Sequence, residues 1–474
     1  MRAQLLLVGA VALSGCASLQ SAPETVNLPS PERPASWAQG ETAPVPPIGD
    51  WVSTFEDPLM TDLIKEALAN NPGISASYAR VEAARAAARS TYGNSLPSLG
   101  ASGSATGTSS VVEIGGSPNR SDTVSYRIGA NASWEVDLWG RISAGVAAAD
   151  ADLVASEADF AAARLSLAGN TAISWLQLID AVRQEALAEA TVSARQRILS
   201  LTERRYGFGL VDALDVRTAR STLASAEASL FARQQQTGNA RRAIEILLGR
   251  YPANEIEALT TPTVLPPISG AGEPTSLLAR RPDIASAEAS IAAAGFRVEQ
   301  ARLALRPSLS LTANLFNTSD IIENLLDPEY IAGQVVSSLS APLYNGGVLQ
   351  ANIEAAESQA RLTGYNYVTT VLNAWKEVED ALSADEYLAL QVEAQQRAYE
   401  EALAAESLAE RQYQNGLTTI FNLIDTQTRR ITAEGNLISI RTSRAVNRVQ
   451  FHLALGGDLP ADILPAESPS EGTE

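Results

Sequence analysis

No proline occurs from residue 119 to residue 251 or from residue 343 to residue 459, and both stretches are dominated by Ala, Leu, Glu, Gln and Arg. Strong helix formers with no breaker over that distance predict helices far longer than the globular norm. A helix over about residues 140–205 would be roughly 100 Å long at 1.5 Å per residue, the dimension of a coiled coil or a tunnel wall. Each stretch is broken in one place, by "RRYGFGL" at residues 204–210 and "RQYQNGL" at residues 411–417, which repeat Arg, Tyr, Gly and Leu at one spacing. Gly209 and Gly416 would give the backbone the freedom to reverse, so each motif predicts the far tip of an antiparallel helix pair. The return helices would run over about residues 212–248 and up to about residue 455, with Gly249 and Gly456 as C-caps.

The tips are part of a larger duplication. "NPGISASYARVEAARAAARSTYGNSLPSL" at residues 71–99 aligns without a gap on "RPDIASAEASIAAAGFRVEQARLALRPSL" at residues 281–309, with 8 of 29 positions identical. "DLWGRI" near Gly140 then parallels "PLYNGGVL" near Gly347, so three landmarks recur in one order. In each half an Ala-rich segment precedes the strands; in the first it reads as one helix over about residues 61–93.

After Pro97 the period falls to two. From residue 123 to residue 138, Val124, Tyr126, Ile128, Ala130, Ala132, Trp134, Val136 and Leu138 alternate with polar residues that include Arg127, Glu135 and Asp137. One apolar and one wet face over that length is the pattern of a transmembrane barrel strand. Leu309, Leu311, Ala313 and Leu315 alternate too, and Val335, Leu339, Ala341 and Leu343 do so more weakly. Each half therefore supplies a hairpin, at about residues 97–138 and 307–343. Four strands cannot close a membrane barrel, and an open edge in lipid leaves backbone groups unpaired at several kcal/mol each. Other subunits must complete the sheet, and three would give twelve strands under cyclic symmetry.

The formal net charge of -19 argues against nucleic acid as a partner, since phosphate binding needs a basic stripe. With one His, His452, and one Cys, Cys16, the chain cannot assemble a triad, a zinc site or a Cys–His pair within a subunit. No metal, no cofactor and no enzyme activity are expected. His452 itself reads as an ordinary residue near a helix end.

The N-terminus reads "MRAQLLLVGAVALSGCASLQ". One positive charge and a short apolar run over residues 5–13 have the length of a signal-peptide core, too short to span a bilayer. Leu13-Ser14-Gly15-Cys16 resembles a bacterial lipobox, which implies cleavage before Cys16 and acylation of its thiol. Ala17, where Asp would retain a lipoprotein at the inner membrane, fits outer-membrane sorting. Residues 1–15 are thus a signal peptide, and residues 16–49, rich in Pro, Ser and Glu, a lipidated tether.

Together these residues resemble the outer membrane factors of the TolC and OprM type, in the NodT-like lipoprotein branch. The resemblance is carried by "DWVSTFEDPLMTDLIKEALANNPGI" from Asp50, "WEVDLWGRI" from Trp134, "ARRPDIASAEASIAAA" from Ala279, "PSLSLTANL" from Pro307, "APLYNGG" from Ala341 and the two tips. It implies a mainly α protomer with a membrane β-barrel portion: four strands and long antiparallel helix pairs, internally duplicated. Three protomers would form a twelve-stranded β-barrel in the outer membrane and a twelve-helix α-barrel in the periplasm. The repeats would be residues 50–260, with a helix hairpin at about 140–248, and 261–456, with one at about 346–455. A mixed equatorial region near residues 180–200, 250–280 and 385–400 is implied, and residues 457–474 would be a flexible tail.

The resemblance also implies partners. Tyr206, Gly209, Leu210, Tyr413, Gly416 and Leu417 would form the surface that docks a periplasmic adaptor, itself joined to an inner-membrane pump of the resistance-nodulation-division class. In "GLTTIFNLIDTQTRR", Asp425 matches the Asp that closes the resting channel at its axis and Phe421 an apolar constriction, while Asn422 stands where some relatives carry a second Asp. Thr428 followed by Arg429 replaces an Arg found after the gate in others, so a single-Asp closure with an apolar ring is expected. Three such carboxylates on an axis would repel one another and favour bound cations. Asp215, the counterpart of Asn422, is expected in a polar network at the outer tip. The function implied is a passive exit duct for drugs and other small molecules. The same architecture also serves as the exit of type I protein secretion. A coiled-coil scaffold and a carboxylate hydrolase are the readings from other classes; the first conflicts with the alternating strand, and the second rests only on abundant Asp and Glu.

Overall fold

The computed structural model describes residues 51–258 and 270–457, together with residues 34, 36–38, 265 and 268. The signal peptide, Cys16, most of the tether and the tail after Gly457 expected above lie outside the described residues. The described chain divides into two compact units, one built from residues 80–157 and 286–368 and the other from residues 51–79, 158–285 and 369–457.

The first unit holds an antiparallel sheet of order β1-β2-β3-β4, with β1 Ser98–Ile114, β2 Ser117–Val136, β3 Ser308–Ser319 and β4 Ala332–Ser340. Gly115 and Gly116 make the two-residue β1–β2 turn, both with φ in the left-handed region (64° and 83°), as a type I′ hairpin requires. The register puts Ala130 opposite Leu315, Trp134 opposite Leu311 and Val136 opposite Leu309, with Val335 opposite Ala313 and Leu339 opposite Leu309. Side chains alternate across a strand, so all of these share one face. Much of that face is exposed, with Leu315, Val335 and Leu339 at 53%, 80% and 69%, while beyond them Asn317, 2% exposed, is covered by the segment at residues 324–327, to whose carbonyls its amide donates. Among the described residues both edge strands, β1 and β4, pair on one side only.

The "DLWGRI" segment is the joint below β2. Asp137 accepts from the backbone N–H groups of Ile142 (3.1 Å) and Ser143 (2.7 Å), satisfying the open start of helix α3, Arg141–Gly207. The Trp134 and Trp139 indoles donate to the carbonyls of Ser95 and Pro307, tying strand ends to the preceding segments. Where helix α6, Pro282–Leu303, meets helix α7, Val348–Gln414, the contact is small: Ala294 and Val298 pack on Ala356 and Ala360.

The second unit is helical. Helix α1, Pro58–Asn70, and the start of helix α2, Pro72–Gly93, pack with α3, helix α4, Ala213–Leu247, and helix α8, Ile420–Ala454. Between the hairpins lies the short helix α5, Pro274–Leu277. The single helix expected over residues 61–93 is two, because Pro72 cannot continue an α-helix and the residue before it is pushed to extended backbone. Asn71 sits there at ψ 123°, and its side chain accepts from the N–H of Gly73 to start the second helix. Trp51, Phe55, Met60, Ile64 and Leu68 pack on Leu167, Trp175, Leu176 and Ile244 in the main core, and the Trp175 indole donates to Asp57 at 2.8 Å.

His452 lies near a helix end as expected, in the last turn of α8, but it is packed rather than solvated. Its ring lies in this core, stacked at 6.0 Å on Trp51 and edge-on to Phe55 and Phe451. Neither ring nitrogen has a partner among the described residues.

Candidate functional site

The two helix-pair tips belong to the helical unit, and the repeated motif is first of all a helix stop. At the end of α3 the N–H of Leu210 donates back to Arg205 C=O and that of Gly209 to Tyr206 C=O, with Gly209 at φ 69°. At the end of α7 Leu417 donates to Gln412 C=O and Gly416 to Tyr413 C=O, with Gly416 at φ 75°. Each is a Schellman closure, in which glycine takes the left-handed position and satisfies the last carbonyls. The next helices start at once: the Asp212 carboxylate caps α4 by accepting from Asp215 N–H, and the Thr419 hydroxyl caps α8 by accepting from Asn422 N–H. Burial and the neighbouring Asp212 charge push the Asp215 carboxyl up.

The paired tyrosines part company. Tyr206 is 51% exposed, whereas Tyr413 is 1% exposed, so the Tyr413 side chain is not on the docking surface expected of it. Its ring lies in a cluster with Ile198, Leu199, Leu223, Ile420 and Leu423. Its hydroxyl meets that of Thr202 at 2.8 Å, and the Arg205 guanidinium lies over the ring and donates to the Tyr413 carbonyl. At the equivalent places in the second half stand Ala409 and Gln412. Nothing there offers Tyr206 a hydroxyl or a cation, and it stays outside.

Large apolar side chains are exposed at the tips among polar ones. Leu210 is 65% and Leu417 77% exposed, and Phe208 (80%) and Leu214 (59%), which the sequence reading passed over, stand beside Leu210 in the chain. Large bare apolar side chains at the ends of helix pairs mark an interaction surface. The signal was present as Phe208 in a turn that needs only Gly.

Phe421, Asn422 and Asp425 lie on the first turns of α8. Ile420, Leu423 and Gln427 of that helix are buried, which leaves Phe421 and Asp425, one turn apart, on its exposed side. Asp425 is paired: Arg429 Nε donates to its carboxylate at 2.8 Å, both side chains being well exposed. The Asn422 amide donates to the Thr418 hydroxyl at 3.0 Å. Behind this face, Arg195 of α3, 6% exposed, donates to Gln427 and Thr428, and Arg430 bridges Glu406 of α7 and Glu434. These two arginines, which the sequence did not single out, cross-link three helices just behind the candidate gate.

Among the described residues no cluster of His, Cys, Asp and Glu could hold a metal ion, and no helix is long and apolar enough to cross a membrane.

The family model described as outer membrane efflux protein matches residues 63–250 and 274–457, one match in each half. The chain is 31% identical over 466 residues to the pyoverdine export outer membrane protein OpmQ of Pseudomonas aeruginosa, covering 97% of each chain. It is 29% identical over 411 residues to the cation efflux system protein CusC of Escherichia coli K12, covering 86% of this chain and 88% of CusC. The crystal structure of the Campylobacter jejuni CmeC outer membrane channel shares the fold, with a TM-score of 0.86 at 22% identity over 93% of this chain and 95% of that one.

Proposed function

The chain belongs to the outer membrane efflux protein family and serves as an outer membrane efflux channel, and from that premise we propose that three copies form one passive duct worked by an inner-membrane pump. The observation that carries the trimer is the sheet: four strands, one largely exposed apolar face and two unpaired edges. In lipid each unpaired edge group costs several kcal/mol, and pairing β4 of one copy with β1 of the next around a threefold axis removes every edge. The helix pairs of the three copies would then line a periplasmic tunnel.

Cys16 would be acylated and hold the N-terminus in the membrane. The bare tip residues Phe208, Leu210, Leu214 and Leu417, with Tyr206, would meet a periplasmic adaptor that recruits a resistance-nodulation-division pump. Gly209 and Gly416 would shape that surface through the backbone, and Tyr413 would support it from beneath. Phe421 and Asp425 would face the axis, with the Asp425–Arg429 pair in the closed ring and Asn422 beside it. The protein would do no chemistry of its own, consistent with a family of channels. The relatives named above carry cargo as different as pyoverdine and cations, which suits a conduit whose pump selects the substrate. No feature of the chain favours the exit of type I protein secretion.

Photo-crosslinking in cells from Leu210 and Leu417, read by mass spectrometry, tests the partners. An adaptor of a resistance-nodulation-division system is expected at both positions; an ATP-driven exporter would move the duct to protein secretion, and neither would overturn the docking role.

A further inference from the structure

The face of the sheet opposite the apolar one is wet and almost uncharged. It presents hydroxyls and amides such as Ser102, Ser104, Asn131, Thr312, Asn314 and Ser338, which the register places side by side. Of all the strand residues on this face only Arg127 and Glu135 are ionised. Glu135 is neutralised by Arg141 at 2.6 Å, at the end of β2. Arg127 has no carboxylate partner among the described residues. Its guanidinium instead lies over the Phe316 ring, 4.1 Å from the centroid.

That arrangement is prepared by a missing side chain. Gly129 follows Arg127 on the same face, and a Cβ there would come within 3.2 Å of Phe316 Cβ and 3.0 Å of Leu315 O. Glycine therefore lets the β2 and β3 backbones lie close beside the base of the Phe316 side chain, on whose ring Arg127 stacks. The pair also has a definite height. Arg127 is nine residues from Val136, about 30 Å along the strand at 3.3 Å per residue, or about 23 Å along the barrel axis at a typical tilt of about 40°. A lipid-facing apolar band is about 25 Å tall, so Arg127 stands near the outer end of such a band, in the last rows where β2 still pairs with β3.

We propose that Arg127, propped on Phe316 over Gly129, is a charge-selecting ring at the outer end of the barrel, favouring anionic solutes over cationic ones as they leave. The inference rests on the trimeric barrel proposed above: closure with the apolar face to lipid brings three copies of Arg127 into one lumen. A ring of fixed cations in a narrow, low-dielectric pore raises the local concentration of anions and repels cations. With a net charge of -19, the chain as a whole is acidic, so the positive ring is not a property of the whole surface.

Reversal potentials of the purified full-length lipoprotein in planar bilayers under a potassium chloride gradient test it. Arg127→Gln is expected to lower the chloride-over-potassium permeability ratio by about twofold or more, Arg127→Lys to keep it near wild type, and Phe316→Leu to fall between. Equal ratios in wild type and Arg127→Gln would overturn the ring while leaving the duct intact. Wild-type protein that inserts but carries no trimer on native mass spectrometry would overturn the barrel reading, and the ring with it.

Discussion

Tyr413 and Thr202, one at the end of α7 and the other near the end of α3, share a hydrogen bond of 2.8 Å from which water is excluded. The Thr202 hydroxyl already donates to the Ile198 carbonyl at 2.9 Å, so the phenol is the donor of the pair. This contact joins the two tips of one protomer, and it is the point at which the duplicated motif stops being symmetrical.

Tyr413→Phe is therefore expected to cost about 1 kcal/mol, the worth of one buried hydrogen bond. Tyr413→Ala should cost about 3–5 kcal/mol because it also opens a cavity in the tip cluster. The same changes at Tyr206 should stay within about 0.5 kcal/mol. Denaturant titrations of the two variant pairs, followed by circular dichroism, check the contrast.

Acidification should reveal His452. Burial, and secondarily the Arg448 charge, lower its imidazole from the ordinary value of 6.5 to about 4. The folded protein keeps it neutral while the unfolded chain protonates it, so its contribution is fully present above pH 6.5 and fades as the pH falls toward about 4. The full loss is about 3 kcal/mol. His452→Phe should flatten the stability profile over that window, and a profile as steep as wild type would show that other groups set it.

Arg281 is expected to be intolerant of substitution. It is nearly buried and donates to Asp283 at 2.8 Å, to Glu377 at 2.6 Å and to the Ala454 carbonyl at 3.0 Å near the end of α8. Arg281→Gln should cost about 2 kcal/mol, since the carboxylates are partly exposed and recover some hydration while the buried carbonyl does not. A thermal melt of the variant in detergent measures this.

Phe208→Ser and Leu417→Ser should leave stability within about 0.5 kcal/mol, because both side chains are bare in the protomer. Resistance to pump substrates should nevertheless fall in cells that depend on this channel. Unchanged resistance in the double variant would remove these residues from the docking surface.

The long helices and the alternating strand were legible because their signals are local and extended. Absence of proline over a hundred residues and strict period two from Val124 to Val136 leave little else for the backbone to do. The break at Asn71 is signalled by Pro72, but the Ala-rich run around it carries the stronger helix pattern. The fate of Tyr413 was not legible in its own motif, which matches that of Tyr206. It is decided by Thr202 and Arg205, some two hundred residues away, whose counterparts Ala409 and Gln412 offer nothing equivalent. The cage around His452 was hidden for the same reason: Trp51 and Phe55 reach it from the other end of the chain. Pattern reads one element at a time, and these sites are made where elements meet.

The central claim is that the open four-stranded sheet is one third of a closed barrel. Native mass spectrometry of the full-length lipoprotein, released from lipid nanodiscs, measures this most directly. Three copies in every channel-forming particle are the expected result; conducting particles that carry one or two copies would contradict it.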